Sequence, residues 1–135
     1  LDPADMRELL GVAGGCAVNQ VLYNPEHRGI EFDLLPWQAQ QGIPVMAYSP
    51  VGQGGRLLRN PALAAVARRH GATPAQIAIA WGLRHPHVIS IPKASDPAHV
   101  RANAAAVDLA LTPADLAEID AAFPPPRRAT PLAML

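Results

Sequence analysis

Val88-Ile89-Ser90-Ile91-Pro92-Lys93-Ala94-Ser95-Asp96-Pro97 is the stretch on which the fold turns. Its opening residues are apolar and largely β-branched, as a buried strand requires, and Pro92 ends the run because it cannot donate to a ladder. Asp96-Pro97 then has the form of a helix start. A cap side-chain oxygen accepts from orphan backbone amides, and a proline at the next position loses no needed donor. Upstream, Thr73-Pro74 has the same form, so the strand lies between two helices. Asp2-Pro3, Asn60-Pro61 and Thr112-Pro113 repeat it, and Asp5, Gln76 and Asp115 sit three residues past their caps, the spacing of a capping box.

Apolar residues at helical spacing follow each start. Met6, Leu9 and Leu10 stripe the first helix, Leu63 and Val66 the second, and Ile77, Ala80 and Trp81 the third. Val100, Ala104 and Val107 stripe the helix after Pro97, and Leu116, Ile119 and Phe123 the last. A further helix is expected over 31–41, bent or tightened by Pro36. Two more apolar runs, 17–23 and 44–49, read as strands beside 88–92. Strands separated by helices and too far apart for hairpins form parallel βαβ units. Three parallel strands alone leave both edges unpaired and their faces poorly covered. The expected architecture is therefore α/β, an arc of about three strands from a closed (β/α) barrel over 1–123. An irregular tail over 124–135 opens on three consecutive prolines. Because Leu1 stands directly before a helix, more chain is expected upstream.

Half of the 135 residues are apolar and 16% are charged, which excludes a disordered chain. The formal net charge is zero, so no basic surplus is available for nucleic acid or an anionic membrane. No apolar run reaches the roughly 18 residues of a bilayer span, and no basic-then-apolar leader opens the chain. The single cysteine, Cys16, cannot form an internal disulfide. The cytoplasm is the expected compartment.

In a parallel barrel, ligands meet the C-terminal ends of the strands. The first strand carries Asn19-Gln20 and closes on Tyr23-Asn24-Pro25. An amide there either bonds a barrel neighbour or faces a ligand. The second ends Ala47-Tyr48-Ser49-Pro50 before Val51-Gly52-Gln53-Gly54-Gly55. This places a ring beside a glycine-rich loop that either cradles a pyrophosphate or makes a plain turn. The third ends on Lys93-Ala94-Ser95 at a helix start, where ammonium, hydroxyl and helix dipole all favour a phosphate. A solvated lysine is the alternative.

Together these ends resemble the aldo-keto reductase family. Val18-Asn19-Gln20-Val21, Ala47-Tyr48-Ser49-Pro50, Thr73-Pro74-Ala75-Gln76 and Ile91-Pro92-Lys93 stand in the family's order and spacing. The resemblance covers essentially the whole chain and extends to bacterial methylglyoxal-reducing members, through the 29–37 and 91–103 segments and the proline tail. It implies the C-terminal portion of a TIM-type (β/α)8 barrel that binds NADPH and reduces a small carbonyl substrate. Gln20 would hold the nicotinamide carboxamide and Tyr48 would stack on the ring. Ser49, Val51 and Gln53 would lie along the pyrophosphate, Lys93 would pair with the 2′-phosphate, and Asn103 would contact the adenine.

Two departures stand out. Ala94 follows the lysine where many members have serine, leaving Ser95 as a substitute, and His99 falls where they have an arginine. Weaker discrimination against NADH is the expectation. The family's catalytic Asp, Tyr, Lys and His match nothing here, so no catalytic residue is assigned, and Tyr23 and Tyr48 are not proton donors merely for being tyrosines. The chain alone is expected to be inactive and to need the N-terminal half of the barrel or self-association. A non-catalytic nucleotide-binding module and a structural remnant of the barrel remain alternatives. His27, His85 and His87 lack the Asp, Glu or Cys pattern of a metal site, and none is assigned. Trp37 and Trp81 read as core, Cys16 as a small buried hydrophobe. Leu132, Met134 and Leu135 would either touch substrate or fray.

Overall fold

A computed structural model describes residues 1–53 and 55–135. Gly54, in the glycine-rich loop, lies outside the described residues. The elements in chain order are α1 (Pro3–Ala13), β1 (Asn19–Leu22), α2 (Leu34–Gln41), β2 (Val45–Tyr48), α3 (Pro61–His70), α4 (Pro74–Leu83), β3 (Val88–Ser90), α5 (Pro97–Ala105) and α6 (Pro113–Ala122). The strands pair in parallel in the order β1-β2-β3. Asn19 stands opposite Val45, Leu22 opposite Tyr48, Val45 opposite Val88 and Ala47 opposite Ser90.

Asp2, Asn60, Thr73, Asp96 and Thr112 are all N-caps with proline in the first turn. Thr73–Gln76 and Thr112–Asp115 close full capping boxes, as does Asp2–Asp5. The expected helix over 31–41 is instead a single 3-10 turn, Gly29–Glu31, followed by α2 capped by Asp33. Pro36 falls in the first turn of α2, where the backbone N–H has no intrahelical acceptor, so it neither bends nor breaks the helix. All three strands are shorter than their apolar runs, because the ladder stops where a neighbour stops.

Val21, Val45, Ala47 and Val88 bury one face of the sheet against Leu34, Leu63, Val66, Ile77 and Trp81. The other face is open. Gln20, Met46 and Ile89 form one row across it, with Gln20 exposed and Ile89 44% exposed. The stripe expected on α5 is not buried: Val100 is 51% and Val107 70% exposed, and no residue of α5 is buried. A cavity of about 330 Å³ lies beneath it, lined by Ile79, Leu83, Ser90, Pro92 and Val100 among others. Only Ala106, in the 3-10 turn after α5, seats fully in the protein.

Candidate functional site

Tyr48, Ser49, Val51, Gln53, Lys93 and Ser95 stand at or just past the C-terminal ends of β2 and β3, with Gln20 earlier on the neighbouring strand β1. Gln20 and Tyr48 lie on the open face, since Gln20 pairs with Met46 and Tyr48 is two residues on. Gln20 is exposed, and its side-chain amide has no hydrogen-bond partner among the described residues. The strand amide that is satisfied internally is Asn19, whose Nδ2 donates to Gln38 Oε1 at 3.0 Å and to the Leu1 carbonyl at 2.9 Å. Burial thus separates the two neighbours: Asn19 ties β1 to α2, while Gln20 keeps both amide ends for something else.

Just past β2, Ser49 has φ 49°, a left-handed conformation that costs a side-chain-bearing residue about 1–2 kcal/mol. The turn is held from outside. Asn24, itself buried, donates Nδ2 to the Ser49 carbonyl at 2.9 Å, and the Gly52 amide donates to the same oxygen at 2.9 Å. Asn24 Oδ1 accepts from the Glu26 and His27 amides, so one side chain fastens the loop after β1 to the loop after β2. Gly52 has φ 71° and a Cβ there would stand 3.1 Å from Leu57 Cβ, so glycine is required. Val51 is half-buried and Gln53 exposed on this loop. Asn24 was visible in the sequence only as part of a strand end. Its role depends on a partner 25 residues away.

Lys93 and Ser95 are exposed between β3 and α5. Asp96 Oδ1 caps α5 by accepting from Ala98 N at 2.7 Å. His99 is exposed and Asn103 half-buried on that helix. The open face, the Ser49 turn and the α5 end therefore lie at successive strand ends of one sheet, offering an unpaired amide, a ring and an ammonium. That donor set suits an extended ligand carrying an amide, an aromatic ring and phosphates.

A buried polar cluster joins the segment after β1 to the end of α4. Glu31 accepts from Tyr23 Oη at 2.6 Å, from Arg28 Nε and Nη2 at 3.1 and 2.8 Å, and from Arg84 Nη2 at 2.6 Å. Both guanidiniums also stack on Trp81, at 5.0 and 3.8 Å from the ring centre. Burial alone would raise the Glu31 carboxyl, but the bonds from Arg28 and Tyr23 and the charge of Arg84 outweigh it and hold it low. Burial pushes the Tyr23 phenol far above its ordinary value, and Arg84 offsets this only in part, while its hydroxyl is committed to Glu31. Trp81 is core, as expected, while Trp37 is only half-buried beneath Arg7. Cys16 is half-buried, its Sγ donating to the Val18 carbonyl at 3.3 Å.

Arg28 Nη1 reaches further, to Asp120 and to the Phe123 carbonyl, each at 2.6 Å. Phe123 ends α6, and from it the tail returns over the first strand. A Cβ on Gly29 would meet Thr130 Oγ1 at 2.7 Å, so the tail lies directly on the glycine. Leu132 packs against the core, whereas Met134 and Leu135 are exposed.

A family model described as the aldo/keto reductase family matches residues 2–123. The chain belongs to that family. Methylglyoxal reductase YeaE of Escherichia coli is 49% identical over 141 aligned positions, which take in the whole chain and 50% of that protein. An oxidoreductase of Bacillus subtilis, YtbE, is 38% identical across 77% of the chain and 36% of its own length. The crystal structure of an aldo-keto reductase from Klebsiella pneumoniae in complex with NADPH superposes with a TM-score of 0.96 at 48% identity. It too is covered over 50% of its length. The chain thus spans half or less of the length of these aldo/keto reductases, and its three strands are a portion of the family's (β/α)8 barrel. No helix among the described residues is long and apolar enough to cross a membrane.

Proposed function

We propose that this chain supplies the cofactor-holding part of an NADPH-dependent aldo/keto reductase that reduces aldehydes or ketones, methylglyoxal among them, to alcohols. One observation carries the reading. On the open face of β1 and just past β3, Gln20 and Lys93 are exposed polar groups with no partner among the described residues, whereas the neighbouring amides Asn19 and Asn24 are satisfied within the chain. Gln20 would hold the nicotinamide carboxamide and Tyr48 the ring face. Ser49, Val51 and Gln53 would follow the pyrophosphate, Lys93 and Ser95 the 2′-phosphate, and His99 and Asn103 the adenosine. NADPH when bound supplies the hydride, and the protein orients it. No catalytic residue is assigned to this chain: the family's Asp, Tyr, Lys and His would come from the remainder of the barrel. Residues 1–123 form the barrel segment in this reading, and 124–135 the tail bordering the substrate.

Fluorescence titration of both cofactors against the complete gene product tests it. Lys93→Ala should weaken NADPH and spare NADH, which lacks the 2′-phosphate. A charge-assisted contact contributes about 1.5–3 kcal/mol, and the exposure of Lys93 places the expected loss near the lower end, about ten-fold. Tyr48→Ala should weaken both cofactors alike, and His99→Arg should tighten NADPH. Equal weakening of the two by Lys93→Ala would remove the lysine from the 2′-phosphate.

A further inference from the structure

Within this chain, which spans half the length of its relatives, the helix bearing Asn103 has few attachments. All of residues 95–101 are exposed, α5 buries no side chain, and the face that includes Val100 and Val107 overhangs a cavity instead of a packed core. At its far end Ala106 is fully buried. Along its length, among the described residues, one side-chain hydrogen bond reaches it from the neighbouring helix. Gln76 Nε2 donates to the Ala102 carbonyl at 2.9 Å, directly beside Asn103. The same side chain is already engaged at its other end, where Oε1 accepts from the Thr73 amide at 3.0 Å to close the capping box of α4. Its two functions therefore sit on different atoms.

We infer that Gln76 is a positioning residue for the adenosine end of the cofactor: it sets the distance between α4 and α5, and so the placement of Asn103 and of the helix start beside Lys93. This rests on the cofactor reading above. The bond to Ala102 lies part-way down α5, while the capping box anchors Gln76 to a helix whose residues 77–82 are all buried. A buried helix thus holds an exposed one through the Gln76 amide. Without the Nε2 donor, α5 keeps its cap at Asp96 and its seat at Ala106 but is free to tilt between them. The nicotinamide end, on β1 and β2, has no such dependence.

Gln76→Glu separates the two roles. A glutamate keeps the oxygen acceptor that closes the capping box, and glutamate is the usual residue at that position, but it offers the Ala102 carbonyl no proton. In the complete gene product, 2′,5′-ADP and NMN serve as probes for the two ends of the cofactor, titrated by calorimetry. Gln76→Glu should weaken 2′,5′-ADP by roughly three- to ten-fold, the size of one net hydrogen bond. NMN affinity should be unchanged, and amide exchange across α5 should speed up while that across α4 does not. Undiminished 2′,5′-ADP binding by Gln76→Glu, or equal weakening of both probes, overturns the inference. If wild-type protein fails to bind 2′,5′-ADP at all, the cofactor reading falls and takes this inference with it. Should Gln76→Glu not fold, Gln76→Met, of similar length and without a donor, is judged by the same two criteria.

Discussion

Replacing Glu31 by glutamine tests whether the buried cluster holds the fold together or merely fills space. The carboxylate accepts four hydrogen bonds at 2.6 to 3.1 Å from three side chains. Arg28 is 7% and Arg84 18% exposed. Removing one partner of a buried ion pair typically costs about 3–5 kcal/mol, because the charges left behind keep their desolvation penalty. Arg28 retains Asp120 and the Phe123 carbonyl, so the expected cost lies near the lower bound, about 3 kcal/mol. With a urea m-value of about 2 kcal/mol per molar for a chain of this size, the unfolding midpoint should fall by about 1.5 M with the slope unchanged. A companion variant sharpens the test. Arg28→Met, Glu31→Leu and Arg84→Met together remove the charges with the pairs and should recover most of the loss. A Glu31→Gln midpoint within about 0.25 M of wild type would refute the reasoning, since the four bonds would then be worth no more than an exposed pair.

The 135-residue chain alone should give no NADPH-dependent reduction of methylglyoxal above buffer background. Turnover that survives repurification and is lost on Tyr48→Ala would count against this. Gly29→Ala should lift the tail, because its Cβ would meet Thr130 Oγ1 at 2.7 Å. The expected signature in the complete enzyme is a changed KM for the carbonyl substrate with NADPH affinity intact, and no change in KM would detach the tail from the substrate mouth. Asp115, buried, would titrate high on burial alone, but bonds from His70, the Thr112 amide and Arg69 hold its carboxyl well below the usual range. Its folded value lies below its unfolded one. The stabilisation is therefore present above about pH 4 and is withdrawn as the pH falls below that. Thermal midpoints taken from pH 5 downward should fall more steeply for wild type than for Asp115→Asn, and parallel profiles would refute the assignment. With its sheet face open and both edges unpaired, the isolated chain should also self-associate in sedimentation velocity. A monodisperse monomer unfolding cooperatively would show that the edges are protected.

What the sequence made legible was local. Every proline-marked helix start was readable because the cap and the proline after it are adjacent, with the third helical residue closing a capping box at three of them, and Thr73-Pro74-Ala75-Gln76 could be read without its neighbours. The strands were recognisable as apolar runs, but their ends depended on partners, so 17–23 shrank to four paired residues once β2 set the ladder. Pro36 misled because its effect depends on where the helix begins, and that is decided by Asp33. The stripe after Pro97 was read correctly as helical, but no described residue buries Val100 or Val107. Asn24 could be read only as part of a strand end, and Arg28 gave no signal. Their partners stand 25 and 92 to 95 residues away, and only the folded chain brings them together.

The slight attachment of α5 also bears on time as well as affinity. Segments with few buried contacts open locally at a small fraction of the global unfolding free energy, and α5, which buries no side chain, is such a segment. Its amides should exchange hydrogen far sooner than those of α4, which buries six consecutive residues. On the proposed reading, in which the adenosine end of the cofactor lies against α5, the nucleotide would not have to wait for the sheet to unfold before departing, because opening of one helix would release that end. Occupancy by the nucleotide should then slow exchange along α5 more than anywhere else in the chain.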